Sequence, residues 1–457
     1  MNLNQYKNIY FIGIGGIGMS ALARYCNSRN INVLGYDKTR SPLCLQLESE
    51  NIRINYTDDI NEIPFEITEN IEETLIVYTP AVPKSNQQIS CFIDNGYKIL
   101  KRSDLLAKIT QNHFTIAVAG THGKTTTSSM LAHILHSSNI DCTAFLGGIC
   151  SNYNSNLILG DNNSVVVVEA DEFDRSFLKL KPDIAVITSV DPDHLDIYKN
   201  KENLKSAFTD FTNRIKSGGT LFIEESVDTT IIDRDDIDIL KYSTSDITDV
   251  SSQNIVSRDE MMHFDVLFKQ ESVTNFKLKM GGEYNVANAL AAISISKKLN
   301  VSNEDIVQSI NSFEGIKRRF EIHISNQEIV FIDDYAHHPE EIKKSILAVR
   351  KMYLEREITV IFQPHLYSRT KDFMDDFASS LSLSDKLILL EIYAAREHKI
   401  DGVSSDILLQ KCDVKYKKLS TKTDVLSLIE KNEVDVLLTL GAGDIYTIVE
   451  PLKVKLL

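Results

Sequence analysis

An apolar run from Thr115 to Ala119 breaks at Gly120-Thr121-His122-Gly123 and passes directly into Lys124-Thr125-Thr126-Thr127. A buried strand that turns through two glycines into a helix opening on a lysine and hydroxyls is a phosphate loop, and it commits this part of the chain to an α/β sheet. The unpaired N–H groups of the first helical turn point at an anion, and the helix dipole favours negative charge. Lys124 is placed to reach the outer phosphates and a threonine hydroxyl, that of Thr125, to ligate Mg²⁺. The loop is shorter than the common Walker form, because Val118 stands where that form has its first glycine. The bland alternative is an ordinary strand-to-helix turn with a surface lysine. Strand, glycines, lysine and hydroxyls all in register argue against it.

A second anion-binding loop lies near the N-terminus. Tyr10-Phe11-Ile12 ends a strand, Gly13-Ile14-Gly15-Gly16-Ile17-Gly18 follows, and Met19 to Ser28 reads as a helix. Asp37 closes the next apolar stretch at the spacing where an acid meets a ribose hydroxyl. The fingerprint alone suggests a nicotinamide or flavin enzyme, but its physics selects only a diphosphate, so any nucleoside diphosphate compound satisfies it.

With 457 residues the chain exceeds one hydrophobic core and fits about three domains. Its net charge of -15 argues against general attraction to nucleic acid or an anionic membrane, so phosphates must be gathered by loops and a few local cations. The six cysteines, Cys26, Cys44, Cys91, Cys142, Cys150 and Cys412, show neither C-x-x-C pairs nor histidine partners at zinc spacing, against a metal finger or a disulfide framework. The apolar run Ile9 to Ala23 is interrupted by glycines and preceded only by Lys7, unlike a signal peptide, and no stretch reaches membrane-spanning length. A cytoplasmic enzyme of small anions, monomer or homodimer, without nucleic acid or membrane insertion, is expected.

Along the chain, residues 1–110 alternate strands and helices, including Thr74 to Tyr78. A second unit, 111–320, contains the unalternating β-branched runs Ser164 to Val168 and Ile184 to Thr188, suited to a parallel sheet covered on both faces. Between about 221 and 280 the chain turns rich in Asp, Ser and Thr, with short alternating strands that predict a small antiparallel side sheet. A helix from Tyr284 to Leu299 follows. A third α/β unit, 321–457, has strands at 329–332, 358–362, 387–390 and 436–440.

Polar clusters sit at the strand ends. The strand ending Val167-Val168-Glu169 offers Glu169 as the first choice for a Mg²⁺ ligand, with Ala170-Asp171-Glu172-Phe173-Asp174 following. The next strand ends in Asp191-Pro192-Asp193-His194-Leu195-Asp196, where His194 is either a second Mg²⁺ ligand or a structural histidine. Asn285 and Asn288 share a helix face, where they read an adenine edge or, for Asn285, cap the helix. Lys317-Arg318-Arg319-Phe320 is either a phosphate clamp or a solvated linker. The third unit adds Asp333-Asp334-Tyr335-Ala336-His337-His338-Pro339, Gln363-Pro364-His365-Leu366-Tyr367-Ser368-Arg369 and Gly441-Ala442-Gly443-Asp444.

Taken together and in this order, the segments at 13–19, 120–126, 169–172, 193–196, 318–320, 333–339 and 363–365 resemble the Mur ligase family over nearly the whole chain. The resemblance implies a Rossmann-like UDP-sugar-binding domain (1–110), a central ATP-binding domain with a P-loop ATPase-type parallel sheet and a small antiparallel side sheet (111–320), and a Rossmann-like C-terminal ligase domain (321–457). It implies ATP-driven joining of L-alanine to the carboxylate of UDP-N-acetylmuramate through an acyl phosphate, the first amino-acid addition of peptidoglycan biosynthesis. In that reading Gly120, Thr121, His122, Gly123, Lys124, Thr125 and Thr126 hold ATP, with Lys124 on the β- and γ-phosphates. Thr125 and Glu169 bind one Mg²⁺, and His194 a second. Asn285 and Asn288 face adenine, while Arg319 and Asp334 meet the nucleotide. Gly13, Gly15, Gly16, Gly18, Met19 and Asp37 hold the UDP-sugar, and Tyr335, His337 and Arg369 shape the alanine site. Lys124, Glu169, His194, His337 and Arg369 form the catalytic set.

Two departures stand out. Leu366 replaces an arginine that many relatives carry after Gln-Pro-His, leaving that contact to Arg369 or Arg396. The stretch Ser206 to Asp210 lacks the modified lysine of later-acting ligases, which fits the alanine-adding branch. The rivals are a ligase recycling a tripeptide onto the same sugar nucleotide, an NAD-dependent dehydrogenase built on Gly13 to Asp37, and a non-catalytic nucleotide sensor. The last two leave the polar clusters of the third unit without a use.

Overall fold

A computed structural model describes residues 3–192, 198–269, 271–395 and 397–457. Short β-branched and aromatic runs separated by helices leave the chain one economical solution, parallel strands whose crossover helices cover both faces. The first sheet is built from β1 (Asn8–Ile12), β2 (Asn32–Tyr36), β3 (Arg53–Asn55), β4 (Thr74–Tyr78) and β5 (Lys98–Lys101) in the order β3-β2-β1-β4-β5. All its pairings are parallel. The order reverses at β1, so the glycine loop after Ile12 opens at the switch point where such sheets bind ligands.

The second sheet contains β6 (Thr115–Ala119), β7 (Cys142–Cys150), β8 (Ser155–Ile158), β9 (Val165–Ala170), β10 (Ile184–Ile187), β11 (Thr220–Glu224), β12 (Asp238–Ser243), β13 (Val250–Arg258), β14 (Met261–Phe268) and β15 (Glu271–Leu278). Its order is β15-β14-β13-β12-β11-β10-β6-β9-β7-β8. The strands expected of a small side sheet after about residue 221 join this sheet at one end. Strands β11 and β12 continue the parallel ladder from β10, and β13 to β15 carry on in the same sheet. The polar composition lies in the connecting loops and at the exposed positions of β12, β13 and β15, whereas Leu221, Phe222 and Ile223 are buried like any central strand. Alternation does hold in β14, where every second residue of its first six is buried. The hairpin β7–β8 at the opposite edge is antiparallel, so the sheet is mixed.

The third sheet holds β16 (Glu321–Ser325), β17 (Val330–Asp334), β18 (Ile358–Phe362), β19 (Lys386–Leu390), β20 (Tyr416–Ser420) and β21 (Val436–Leu440), ordered β16-β17-β21-β18-β19-β20. Only β16 runs antiparallel, against β17. By density of contact the chain forms two compact units: Met1–Ser251 with Val266–Val273 and Ala287–Ser312, and Ser252–Asp265 with Thr274–Val286 and Phe313–Leu457. All six cysteines are free thiols, buried except for Cys91. Among the described residues no helix is long and apolar enough to cross a membrane.

Candidate active site

In the first unit β6 is buried along its whole length and delivers Gly120 to Gly123 to the start of the helix Lys124–Ser137. Gly123 has φ 81°, and the side-chain amide of Asn288 fills the place a Cβ would take, so conformation and space both demand glycine. The amide oxygen of Asn288 also accepts a hydrogen bond from Thr127 Oγ1 at 3.3 Å. The amide expected to face adenine thus lies against the first turn of the phosphate-loop helix. Backbone and hydroxyl bonds stitch the turn to the end of β10: Thr121 N–H donates to the Ser189 carbonyl at 3.1 Å, and His122 N–H to Ser189 Oγ at 3.0 Å. Asp191 N–H donates to Thr121 Oγ1 at 3.0 Å. Thr125 and Thr126 are buried in the helix's first turn.

Lys124 Nζ donates to both carboxylate oxygens of Glu172, at 2.8 and 3.0 Å, and to the Gly120 carbonyl at 2.7 Å. Glu172 is fully buried, and the lysine side chain is only 15% exposed. Burial by itself lowers the ammonium's pKa, but the charges of Glu172 and Asp171 outweigh it and the net shift is upward, so Lys124 is held as a cation. Glu169 lies within β9, one position before the strand's last residue. Its Oε1 accepts from Gly147 N–H at 2.7 Å and from Ser128 Oγ at 3.3 Å. That Ser128 hydroxyl also lies 3.1 Å from the Thr125 carbonyl, so carboxylate and threonine share one helical turn. Hard oxygen donors so placed suit Mg²⁺.

The N-terminal loop has the same build, a strand turning through glycines into a helix. Gly13 and Ile14 N–H donate to the Tyr36 carbonyl at 2.7 and 3.1 Å. Asp37 Oδ2, expected to face a ribose, accepts from Gly15 N–H at 2.8 Å, while its Oδ1 accepts from Thr39 N–H at 3.0 Å. Met19, expected among the ligand contacts, is 1% exposed and packs in the core. The helix begins two residues earlier, at Ile17, which turns the methionine inward. Gly16 is the helix cap, and Gly18 lies under the guanidinium of Arg102.

In the second unit Arg318 Nε is 3.1 Å from Asp333 Oδ2, and its Nη2 donates to the Gly441 carbonyl at 2.6 Å. The Tyr335 ring is flanked by both arginines, with guanidinium carbons 5.3 Å (Arg318) and 4.8 Å (Arg319) from its centre. Asp334 is nine-tenths buried; burial first, with Glu341 and Asp333 adding, raises its pKa to about 6 against the opposing pull of Ser345 and Arg319. His337 Nδ1 sits 3.1 Å from the Tyr335 carbonyl and 3.3 Å from Glu341 Oε2. Its ring meets that of His365 edge-on at 6.0 Å, and His365 stacks on Tyr393. Burial, with the charges of His337 and Arg369, lowers the His365 pKa to about 3. Asn285, the third residue of the helix Glu283–Lys298, donates from Nδ2 to the Gly281 carbonyl at 2.7 Å. Glu321, His323 and Asp333 bring ligand atoms within 4.8 Å of one another. Arg318 binds two of the three through its side chain and backbone, which makes the group an ion-pair network rather than a metal centre.

Three family models match in succession: the Mur ligase family catalytic domain at 8–114, the Mur ligase middle domain at 118–296 and the Mur ligase glutamate ligase domain at 318–443. A UDP-N-acetylmuramate--L-alanine ligase of Cytophaga hutchinsonii is 45% identical over 99% of this chain and 97% of its own. Another, from Porphyromonas gingivalis, is 47% identical over 98% of each. The chain belongs to the Mur ligase family. The solved UDP-N-acetylmuramate-alanine ligase of Thermotoga maritima superposes with a TM-score of 0.81 at 26% identity, covering 97% of this chain and 98% of that one.

For this Mur ligase the turn Gly120 to Thr126, Asn288 and Glu169 gather at the ends of β6, β9 and β10 in the first unit, whereas Asn285, Arg319 and Asp334, also expected around ATP, belong to the second with Tyr335 and His337. His194 and Arg396 lie outside the described residues. The sequence reading passed over Glu172 as the partner of Lys124, as well as Ser189 and Arg102. The one local signal for Arg102 was a cation at the first residue of the helix Arg102–Thr110, where the dipole disfavours positive charge.

Proposed function

We propose that this Mur ligase joins the amino group of L-alanine to the carboxylate of UDP-N-acetylmuramate at the expense of ATP, in the cytoplasm, as the first amino-acid addition to the peptidoglycan stem. The observation that carries the chemistry is the charged Lys124 within the glycine turn, with Glu169 beside the turn of Thr125. Substrate identity is supported by relatives of that name at 45% and 47% identity across almost the whole chain.

The γ-phosphoryl group passes from ATP to a carboxylate oxygen of the sugar nucleotide, releasing ADP and leaving an acyl phosphate. The alanine amine attacks the acyl carbon, and the tetrahedral adduct expels inorganic phosphate to leave the amide. No protein nucleophile is needed, because phosphoryl transfer asks for alignment and charge neutralisation. Lys124 neutralises the β- and γ-phosphates once it exchanges Glu172 for them, and the N–H groups of the first helical turn hold the phosphate chain. Thr125 and Glu169 would hold Mg²⁺, which when bound supplies further neutralisation of the transferred group. His194 as a second metal ligand, Asn285 and Asn288 at adenine, Arg319 and Asp334 at the nucleotide, and Tyr335, His337 and Arg369 at alanine are roles we propose from the family resemblance.

Phosphate release from ATP, measured with each substrate omitted in turn, tests the reading. It requires both UDP-N-acetylmuramate and L-alanine. Release driven equally well by the tripeptide Ala-Glu-diaminopimelate would favour the recycling ligase instead.

A further inference from the structure

The N-terminal glycine loop has to hold two negative phosphates, yet its own surroundings are poor in positive charge. The side chains nearest Gly13 are Thr79 and Val82, and those nearest Gly15 are Cys44, Asp37 and Ser41. Asp37 adds a carboxylate bonded to the loop backbone. With a protein charge of -15, nothing at long range offsets this. At Gly18 the environment changes sign: the Arg102 guanidinium packs against the first turn of the helix Ile17–Ser28, its Cζ 3.3 Å from where a Cβ on Gly18 would stand. The absence of a side chain at Gly18 is what lets the arginine reach the helix start. Arg102 is itself the first residue of a helix, a position electrostatically unfavourable for a cation, so its retention there calls for an anion. The anion present is Asp171, with Oδ2 3.6 Å from Arg102 Nη2 and both side chains about one-third exposed. A pair this long and this wet contributes little and is readily exchanged.

We propose that Arg102 is the cationic contact for the diphosphate of the nucleotide sugar, with Asp171 holding the guanidinium at the loop until the ligand replaces it. This rests on the reading of Gly13 to Gly18 as the UDP-sugar loop. A planar guanidinium presents paired donors to phosphate oxygens, which an ammonium does not. Because Asp171 also contributes to the field at Lys124, release of Arg102 leaves an additional free carboxylate near the ATP loop when the first substrate is bound.

Calorimetric titration of the full-length protein with UDP-N-acetylmuramate, UDP and uridine tests this. Arg102→Gln weakens UDP-N-acetylmuramate and UDP by about tenfold to a hundredfold, the scale of a charge-assisted bond. Uridine affinity stays as in the parent, which also shows that the variant is folded. Arg102→Lys falls between the two, and Asp171→Asn binds the sugar nucleotide at least as tightly as the parent. Equal UDP-N-acetylmuramate affinity in Arg102→Gln and parent overturns the proposal while leaving the loop's assignment intact. A loss in Asp171→Asn as large as that in Arg102→Gln also overturns it, because Arg102 would then act through the ion pair. Failure of the parent itself to bind the sugar nucleotide sinks the reading of the loop and this inference with it.

Discussion

Lys124 looks from its position in the chain like a surface-loop residue whose removal would spare the fold. Its pairing with a fully buried Glu172 changes that expectation. Lys124→Ala takes the ammonium away from that buried carboxylate, a loss of up to about 3–5 kcal/mol, besides the 10² to 10³ in rate that one preorganised electrostatic contact is worth. We expect a lowered melting temperature that Lys124→Ala/Glu172→Gln restores, with turnover staying low in both. An unchanged melting temperature in the single variant would contradict the pairing. Asp334 carries a pH signature of its own. Its folded pKa of about 6 lies above the unfolded value of about 4. Its contribution to stability is therefore fully present below pH ~4 and is lost as pH rises through ~6. Asp334→Asn should gain on the parent across that window by up to about 3 kcal/mol and run parallel to it above, in melts followed at several pH values. Neither feature was legible in the sequence. Lys124 and Glu172 are 48 positions apart, and local patterns say nothing about which buried acid meets which base.

At the level of strands and turns the sequence was a better guide, because the constraints there are local. The glycine turns follow β1 and β6 as read, since a Gly-x-x-Gly-Lys turn after an apolar strand has few alternatives. The limits of single elements were less secure. Glu169 lies inside β9, and that places its carboxylate where a Cβ on Gly147 would be. Gly147→Ala should therefore displace Glu169 and raise the Mg²⁺ concentration needed for half-maximal phosphate release, as Glu169→Ala does. A normal Mg²⁺ dependence in Gly147→Ala would detach Glu169 from the metal. The parallel ladder runs on past residue 221 because β11 keeps a buried core, Leu221 to Ile223, whereas β12 is buried only at Tyr242 and Ser243. Strands β16 and β20 were missed because they are sheet edges, where charged and half-exposed residues replace the apolar run. At Leu366 φ is 70°. Residues with side chains rarely adopt such backbone, and nothing in the residue order announces it.

For the molecule as a whole, the three expected α/β layers appear as three sheets, whereas compactness divides the chain in two. The boundaries at 110 and 320 stand as our proposal for its domains. The two glycine loops predict different ligand behaviour. UDP-N-acetylmuramate should raise the melting temperature without ATP, by the linkage of a ligand to the native state, and NAD should not. Stabilisation by NAD alone would reassign the N-terminal loop. The Asp37 carboxylate on Gly15 bears on how fast that ligand arrives. An anionic oxygen already sits on the loop's amide, so the turn keeps its shape with no nucleotide present, and capture amounts to the exchange of one oxygen for another. Little ordering accompanies binding. In stopped-flow mixing the observed rate should then climb linearly with UDP-N-acetylmuramate concentration, set by diffusion and orientation, with no plateau from a loop that must first fold.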